Sequence, residues 1–93
     1  MDKAWVYILR CSDGSYYTGK TQNLELRMAQ HQNGTYKGYT FKRHPAKLVY
    51  VQGFPTYNEA IHAERQIKGW SRAKKEALVA GDLVTLRNLS KSK

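Results

Sequence analysis

Five side chains in the sequence carry groups that suit chemistry on a phosphate ester. Tyr7 and Tyr17 stand in two similar triplets, Arg27 and His31 follow at a spacing of one helical turn, and Glu64 lies in a later helical segment. A guanidinium binds phosphate oxygens, a carboxylate binds divalent cations, and a phenol or an imidazole can move a proton. Together these groups indicate hydrolysis of a phosphodiester as the chemistry to test.

Glu64 is the most unusual of the five because it interrupts an apolar helix face. In the helix predicted over 57–70, the apolar stripe consists of Tyr57, Ala60, Ala63 and Ile67. Glu64 falls in the middle of this stripe, where a carboxylate needs a cation, a hydrogen-bond donor or a metal ion. Mg²⁺ fits, since it binds through one or two carboxylates together with phosphate oxygens. The simpler alternative is an ion pair with Lys68, one turn further on.

Arg27 and His31 are expected to face the strands that carry the tyrosines. Leu24 and Met28 define the apolar stripe of the first predicted helix, and Arg27 and His31 fall along its edge. Leu26 projects to the far side of the helix, which this arrangement does not explain. The alternative is a solvated arginine and a histidine that interacts with the negative end of the helix dipole.

The two tyrosines have a structural and a chemical interpretation. Tyrosine is common in strands and pairs across hairpins, so its presence there needs no further reason. A phenol has a pKa near ~10, and a neighbouring cation can lower it. Lys20, three residues after Tyr17, is placed in the sequence to do this. Either tyrosine could then deprotonate or orient an attacking water.

The elements that must position these groups form a small α+β domain. Three strands are predicted, over 4–10, 16–20 and 48–52, with a turn at 13–14, and the stretch 35–47 is expected to be irregular. Four helices are predicted to start at the caps Asn23, Thr56, Ser71 and Asp82 and to run to about Gln32, Trp70, Gly81 and Leu89. The order β-β-α-β-α-α-α predicts a three-stranded, mainly antiparallel sheet flanked by helices. We expect one domain over 1–93, with its core over 4–80, a C-terminal helix over 82–89 and a frayed tail over 90–93.

Composition favours a polyanionic partner. Lys and Arg number 16 against 7 for Asp and Glu, a formal net charge of +9, and phosphate neutralisation drives binding to nucleic acids. The alternative is charge that serves solubility alone. The longest apolar stretch is too short to cross a membrane, and the N-terminus lacks a signal-peptide pattern. With a single cysteine, Cys11, we expect a cytoplasmic protein without a disulfide or a cysteine-based zinc site.

Two groups of cations are candidates for contact with nucleic acid. The first, interleaved with aromatic residues, consists of Lys37, Lys42 and Arg43; the second, around a helix junction, consists of Lys68, Arg72, Lys74 and Lys75. Cations beside aromatic rings suit binding to phosphates and bases. We expect these residues to position phosphates without reading sequence, the alternative being a solvated surface.

The triplets Val6-Tyr7-Ile8 and Tyr17-Thr18-Gly19 resemble the signature of the GIY-YIG nucleases. Val6 replaces the first glycine of that signature, and Thr18 replaces its second isoleucine. The matches continue through Arg27, His31 and Glu64 in the order the family has them. The resemblance covers roughly 5–78, most of the chain.

This resemblance implies an endonuclease that needs one divalent ion, Mg²⁺ or Mn²⁺, held by Glu64. It implies catalytic roles for Tyr7, Tyr17, Lys20, Arg27, His31 and Glu64. By analogy the substrate is nucleic acid, DNA rather than RNA, in a structured or damaged form met in repair or recombination. No separate recognition domain fits in the chain, so a homodimer or a partner protein is a further expectation for substrate choice.

One departure from the family leaves a second function open. Many members carry a further asparagine after the glutamate, and Asn88 is too far along the chain to match it. The alternative function is therefore a nucleic-acid-binding module that kept the fold and lost turnover.

A rival motif, the phosphate-binding loop GxxxxGK[ST], is satisfied by residues 14–21. That loop requires a helix to begin at its Lys-Thr pair, whereas here a strand is predicted over 16–20 and the helix starts at Asn23. The strand over 48–52 also ends in Gln52 rather than in a Mg²⁺-binding aspartate. A nucleotide hydrolase of this type is therefore disfavoured.

Overall fold

A computed structural model describes residues 1–33 and 45–91 of the chain. Its strands are β1 (Ala4–Arg10), β2 (Tyr16–Thr21) and β3 (Lys47–Phe54). Its helices are α1 (Leu24–Gln32), α2 (Tyr57–Lys68), α3 (Arg72–Ala80) and α4 (Leu83–Lys91). The α+β class and the order β-β-α-β-α-α-α are confirmed. No helix within these described residues is both long and apolar enough to cross a membrane.

The sheet is antiparallel throughout, in the order β2-β1-β3. The almost continuously apolar β1 is the central strand, as its sequence predicts. Against β2 its register places Tyr7 opposite Gly19 and Val6 opposite Lys20. Because β2 is an outer strand, one of its edges has no strand partner among residues 1–33 and 45–91.

Each face of the sheet is covered by its own helices, since successive strand residues point to opposite sides. On one face, the buried cluster consists of Ala4, Val6 and Ile8 from β1 with Ala60 and Ile67 from α2, and α3 residues pack against it. On the other face, the buried cluster consists of Tyr7, Leu9, Cys11 and Ala46, with Leu24 and Met28 of α1 packed against it. α4 packs on α3. The strand β2 is thus held between α1 and α2.

The helices begin at the predicted caps. The side chains of Asn23, Thr56 and Ser71 each accept a hydrogen bond from a backbone amide of the first turn, and Asp82 accepts one from the Thr85 amide at 3.1 Å. α3 ends at Gly81, whose φ of 72° is the left-handed conformation that favours glycine.

The boundaries differ from prediction where cross-strand pairing and packing extend or shorten an element. β3 is longer by one residue at its start and two at its end, because pairing with β1 reaches Phe54. α2 ends at Lys68 rather than at Trp70. α4 runs to Lys91, into the part expected to fray. Most of the stretch expected to be irregular, 35–47, lies outside the described residues, which resume at residue 45.

Candidate active site

A cleft of about 290 Å³ lies beside the outer strand β2 and contains four of the six predicted catalytic residues. It is lined by Tyr17, Gly19, Lys20, Arg27, Tyr57, Glu64 and Lys68. These residues come from β2, α1 and α2. The cleft is therefore built across the sheet edge, with one helix on each side.

The alternation of β2 distributes its side chains to both helices. Lys20 lies opposite Val6, whose face is covered by α2, while Gly19 lies opposite Tyr7, whose face is covered by α1. One short strand thereby presents an ammonium group toward Glu64 and a tyrosine, Tyr17, toward the helix that carries Arg27. The segment forms a strand and not a phosphate-binding loop, which confirms that the GxxxxGK[ST] match is coincidental.

Glu64 is buried, with 5% of its surface exposed, and both of its carboxylate oxygens have cationic partners. Lys20 Nζ lies 3.3 Å from Oε1, and Lys68 Nζ lies 3.0 Å from Oε2. The ion pair with Lys68 that the helical spacing allowed is thus present. Lys20 adds a second partner that comes from a different element, 44 positions away. The two ammonium groups offset the cost of burying the carboxylate.

A buried hydrogen-bonded group backs the cleft on the α1 side. Tyr7 Oη lies 3.0 Å from Nε2 of His31, and both side chains are almost fully enclosed. Arg27 Nη1 donates to Tyr7 Oη at 3.4 Å and to the Lys20 carbonyl at 3.3 Å. The expectation that Arg27 and His31 face the strands is confirmed, and Leu26 is exposed as predicted.

The donor roles in this group follow from chemistry. A guanidinium has no acceptor, so Tyr7 Oη accepts from Arg27. The hydroxyl hydrogen of Tyr7 is then free to donate to His31 Nε2, provided that this nitrogen carries no proton. The ring of Tyr17 packs edge-on against His31, with 5.7 Å between ring centroids. Tyr17 lines the cleft, whereas Tyr7 lies behind it.

Gly19 makes this packing possible. A Cβ built on Gly19 would lie 2.5 Å from Tyr7 Oη and 3.0 Å from Tyr17 Cε2. Real Cβ atoms do not approach other atoms as closely as 2.5 Å. A glycine is therefore needed between the two tyrosines for steric reasons.

Tyr57 is a cleft residue that the sequence reasoning assigned only to the apolar stripe of α2. It is partly exposed and lies two turns before Glu64. Its spacing of seven residues from Glu64 places both side chains on one helix face. This spacing was the sequence signal that could have identified Tyr57 as a cleft residue.

The second group of predicted nucleic-acid contacts extends from the cleft along α2 and α3. Lys68 lines the cleft, while Arg72 pairs with Glu76 at 3.1 Å and stacks over Tyr16. Lys74 lies over the ring of Trp70. Lys75 lies on α3 and is partly buried. The first predicted group, Lys37, Lys42 and Arg43, lies outside the described residues.

The donor groups in the cleft suit a hard divalent cation that keeps part of its water shell, rather than a metal ion whose ligands all come from the protein. Among residues 1–33 and 45–91, no cluster of three or more His, Cys, Asp or Glu side chains could hold a metal. Glu64 offers one carboxylate in a cleft of about 290 Å³, enough for roughly nine waters at about 30 Å³ each. Mg²⁺ keeps several waters and binds through one or two carboxylates, so this donor set suits Mg²⁺ or Mn²⁺.

The cleft combines a buried carboxylate, an arginine and Tyr17 of the outer strand β2, with Tyr7 of the central strand behind it, and these groups suit chemistry on a phosphate ester. The chain belongs to the GIY-YIG family: the profile described as the GIY-YIG catalytic domain matches residues 3–77. GIY-YIG nucleases act on nucleic acid and generally use a divalent metal ion.

Within that family the chain is similar to small proteins named UPF0213. One from Staphylococcus saprophyticus is 45% identical over 80 residues, covering 86% of this chain and 98% of the relative. Another, from Natronomonas pharaonis, is 45% identical over 78 residues, covering 84% and 92%.

Two solved structures have the same fold. The solution NMR structure of a UPF0213 protein from Bacillus halodurans has a TM-score of 0.57 at 44% identity, covering 83% of this chain and 82% of that one. The solution NMR structure of a protein from E. faecalis has a TM-score of 0.60 at 34% identity, covering 90% and 93%. The resemblance inferred from the motifs is thereby confirmed for fold and family.

Proposed function

We propose that this protein is a divalent-metal-dependent endonuclease that hydrolyses phosphodiester bonds in nucleic acid. The observation that carries this proposal is the convergence of Tyr17, Lys20, Arg27 and Glu64 on one cleft. A structural ion-pair network would not require an arginine and a tyrosine beside the buried carboxylate. Such a network would also not require a glycine at position 19, where the absence of a side chain leaves room for the Tyr7 ring.

The roles of the side chains follow from their chemistry and position. Glu64 would hold Mg²⁺ or Mn²⁺, which when bound would supply Lewis-acid chemistry at the scissile phosphate. Arg27 donates to a phosphate oxygen and offsets the charge that develops in the transition state. Tyr7 and His31 hold the guanidinium in place from the buried side.

Tyr17 is the phenol that an attacking water meets, because it lines the cleft while Tyr7 is enclosed. It orients the water or takes its proton, and Lys20, three positions further along the same strand, contributes its positive charge to the same cleft. His31 provides the acceptor behind Tyr7.

The proposed substrate is DNA in a structured or damaged form, and the proposed location is the cytoplasm. Support comes from the basic cleft and from the net charge of +9, which favour a polyanion of either kind. A homodimer or a partner protein would extend the short binding surface and select the substrate.

A second candidate function is a binding module without turnover. Its specific support is that Glu64 is charge-balanced by Lys20 and Lys68 without any metal. The asparagine that many members carry after the glutamate also has no match on a cleft-forming element, since the asparagine that follows Glu64 in the sequence, Asn88, lies on α4.

Cleavage assays separate the two functions. Labelled single-stranded, duplex and branched DNA and RNA are incubated with the protein and with titrated Mg²⁺ or Mn²⁺. We expect metal-dependent cleavage that is lost in Glu64→Gln and reduced about 10²- to 10³-fold in Arg27→Ala, with binding retained in both. Glu25→Gln removes an exposed carboxylate on α1 and serves as the matched control. Binding that is equal in all variants, without cleavage by any of them, would support the binding module instead.

A further inference from the structure

The carboxylate proposed to hold the metal is already engaged by two lysines. Lys20 contacts Oε1 and Lys68 contacts Oε2, so each oxygen of Glu64 has an ammonium partner. Only 5% of Glu64 is exposed, so another ligand has little room to approach it without displacing one of them. A divalent cation and the two ammonium groups therefore compete for the same two oxygens.

The charge balance of the cleft makes this competition unfavourable for a metal alone. The charged lining residues are Lys20, Arg27 and Lys68 against Glu64, three positive charges and one negative, which leaves +2. A divalent cation would bring the total to +4. Like charges at contact distance repel strongly, and more so where water is partly excluded. A phosphodiester that enters the cleft supplies the missing negative charge.

The lysines are able to change partner. The Lys68 side chain is 53% exposed and that of Lys20 is 28% exposed, so both ammonium groups border solvent rather than the core. A lysine ammonium is a point charge on a flexible stem, without the fixed fork geometry of arginine. A phosphate oxygen can therefore replace the Glu64 carboxylate as its acceptor.

We propose that Lys20 and Lys68 make the cation site at Glu64 conditional on nucleic acid. In the free protein the two ammonium groups hold the carboxylate. When a phosphodiester occupies the cleft they turn to the phosphate and release Glu64 to the metal. This inference rests on the proposed function and adds an order of binding and a positioning role for Lys68.

Linkage gives the proposal a measurable form. If phosphate binding frees Glu64, nucleic acid and metal must each tighten the binding of the other by the same factor. Coupling of this kind typically amounts to about 5- to 150-fold in affinity. Removing one lysine should therefore tighten metal binding in the absence of nucleic acid, and so reproduce part of the effect that nucleic acid has on the metal affinity.

The test is Mn²⁺ binding, followed through the electron paramagnetic resonance signal of the free ion. It compares the unmodified protein with Lys68→Met and with Lys47→Met, which removes an exposed lysine on the opposite outer strand β3. Each is measured alone and with a deoxyoligonucleotide whose own Mn²⁺ binding is determined separately. Circular dichroism checks folding, and Lys20→Met provides a second variant on another element.

Without DNA, we expect Lys68→Met to bind Mn²⁺ at least about fivefold more tightly than the unmodified protein. Lys47→Met should match the unmodified protein, and adding Glu64→Gln to Lys68→Met should abolish the gain. DNA should bring the unmodified protein close to the affinity of Lys68→Met.

Two results would overturn the proposal in distinguishable ways. Equal Mn²⁺ affinity of the unmodified protein, Lys68→Met and Lys20→Met in the absence of DNA would exclude the competition and leave the metal-dependent function standing. Failure of every variant to bind Mn²⁺, even with DNA present, would overturn the proposed function together with this inference.

Discussion

At the scale of the residue, Tyr7 is both a core residue, through its ring, and a hydrogen-bonding residue behind the cleft, through its hydroxyl. Its ring is fully enclosed in the core under α1, while its hydroxyl lies between His31 and Arg27 at the back of the cleft. The ring fits because the residue opposite, Gly19, has no side chain. Core packing and the orientation of the arginine are thus set by the same contacts.

The first prediction concerns this close approach. Gly19→Ala places a methyl group 2.5 Å from the Tyr7 hydroxyl oxygen, so the ring must shift and loosen its bonds to His31 and Arg27. Overpacking of this kind costs about 1–3 kcal/mol of unfolding free energy. Urea denaturation should show that loss, and cleavage should fall more than stability accounts for.

Gly69→Ala is the control for that experiment. A Cβ at Gly69 would make ordinary contacts with the carbonyl oxygens of Gln66 at 3.6 Å and Arg65 at 3.8 Å, and the φ of −81° at this residue suits alanine. Stability should be unchanged or raised by up to about 1 kcal/mol. Equal losses in both glycine variants would show that Gly19 has no special steric role.

The second prediction concerns Thr18, which stands in place of the isoleucine of the family signature. Its hydroxyl is buried, and it has no hydrogen-bond partner within the described part of the chain. An unsatisfied buried hydroxyl costs about 1–3 kcal/mol. Thr18→Val should therefore raise the free energy of unfolding by about 1–2 kcal/mol without changing cleavage.

Thr21→Val is the matched comparison on the same strand. The Thr21 hydroxyl is also buried, but it accepts from the Asn23 amide at 3.0 Å and donates to the Asn23 carbonyl at 3.2 Å. Its removal should destabilise the protein. If the two valine variants change stability in the same direction, hydrogen bonding does not explain the difference.

At the scale of the element, local signals predicted the fold well. Asn23, Thr56, Ser71 and Asp82 each start a helix because capping depends on residues within one turn. The burial of Glu64 also followed from helix periodicity, a local property. Element ends were less accurate because cross-strand pairing decides them.

The long-range contacts of the site residues could not be derived from such local signals. Lys20 reaches Glu64 across 44 positions of the sequence, and Tyr7 reaches His31 across 24. Such contacts depend on how α1 and α2 pack on opposite faces of the sheet. The family resemblance supplied the list of residues, whereas the steric reason for Gly19 and the place of Tyr57 required the structure.

The third prediction concerns the start of α4. Hydrogen bonds from the side chain and then from the backbone of Thr85 lower the pKa of the Asp82 carboxyl below its usual value of 3.8. Because the folded-state pKa is the lower one, the cap contributes its full stability above the usual value. That contribution is lost as the pH falls through the lowered pKa.

The amide resonance of Thr85 reports this transition. Between pH 6 and 2 we expect it to shift only below the usual aspartate range of about 3.9, together with fraying of α4. Asp82→Asn keeps an acceptor that does not titrate, so its Thr85 amide should show no such step. A step at the same pH in Asp82→Asn would assign the transition to another group.

At the scale of the whole molecule, the net charge of +9 favours binding to a polyanion. The described surface of the cleft contributes Lys20, Arg27 and Lys68, each able to meet one phosphate. Binding through such contacts weakens as the salt concentration rises, and the size of the effect follows the number of phosphates neutralised.

The fourth prediction is the size of that sensitivity. Three phosphate contacts give a slope of about −2 to −3 in a plot of log K against log salt concentration. Lys68→Met should make the slope shallower by about 1, as expected for one lost phosphate contact. Fluorescence anisotropy with labelled DNA measures it, and Lys47→Met should leave the slope unchanged. A slope near zero would indicate recognition without phosphate contacts.

The enclosure of Tyr7 has a consequence for how the protein fails in a cell. Substitutions at Tyr7 remove core packing, so the altered chains spend more time unfolded and are degraded. Under the proposed function, a substitution that changes only the charge in the cleft, such as Glu64→Gln, leaves a folded protein that still binds its substrate. Loss of the first kind removes the protein, while loss of the second kind leaves an inactive competitor that blocks the remaining functional copies.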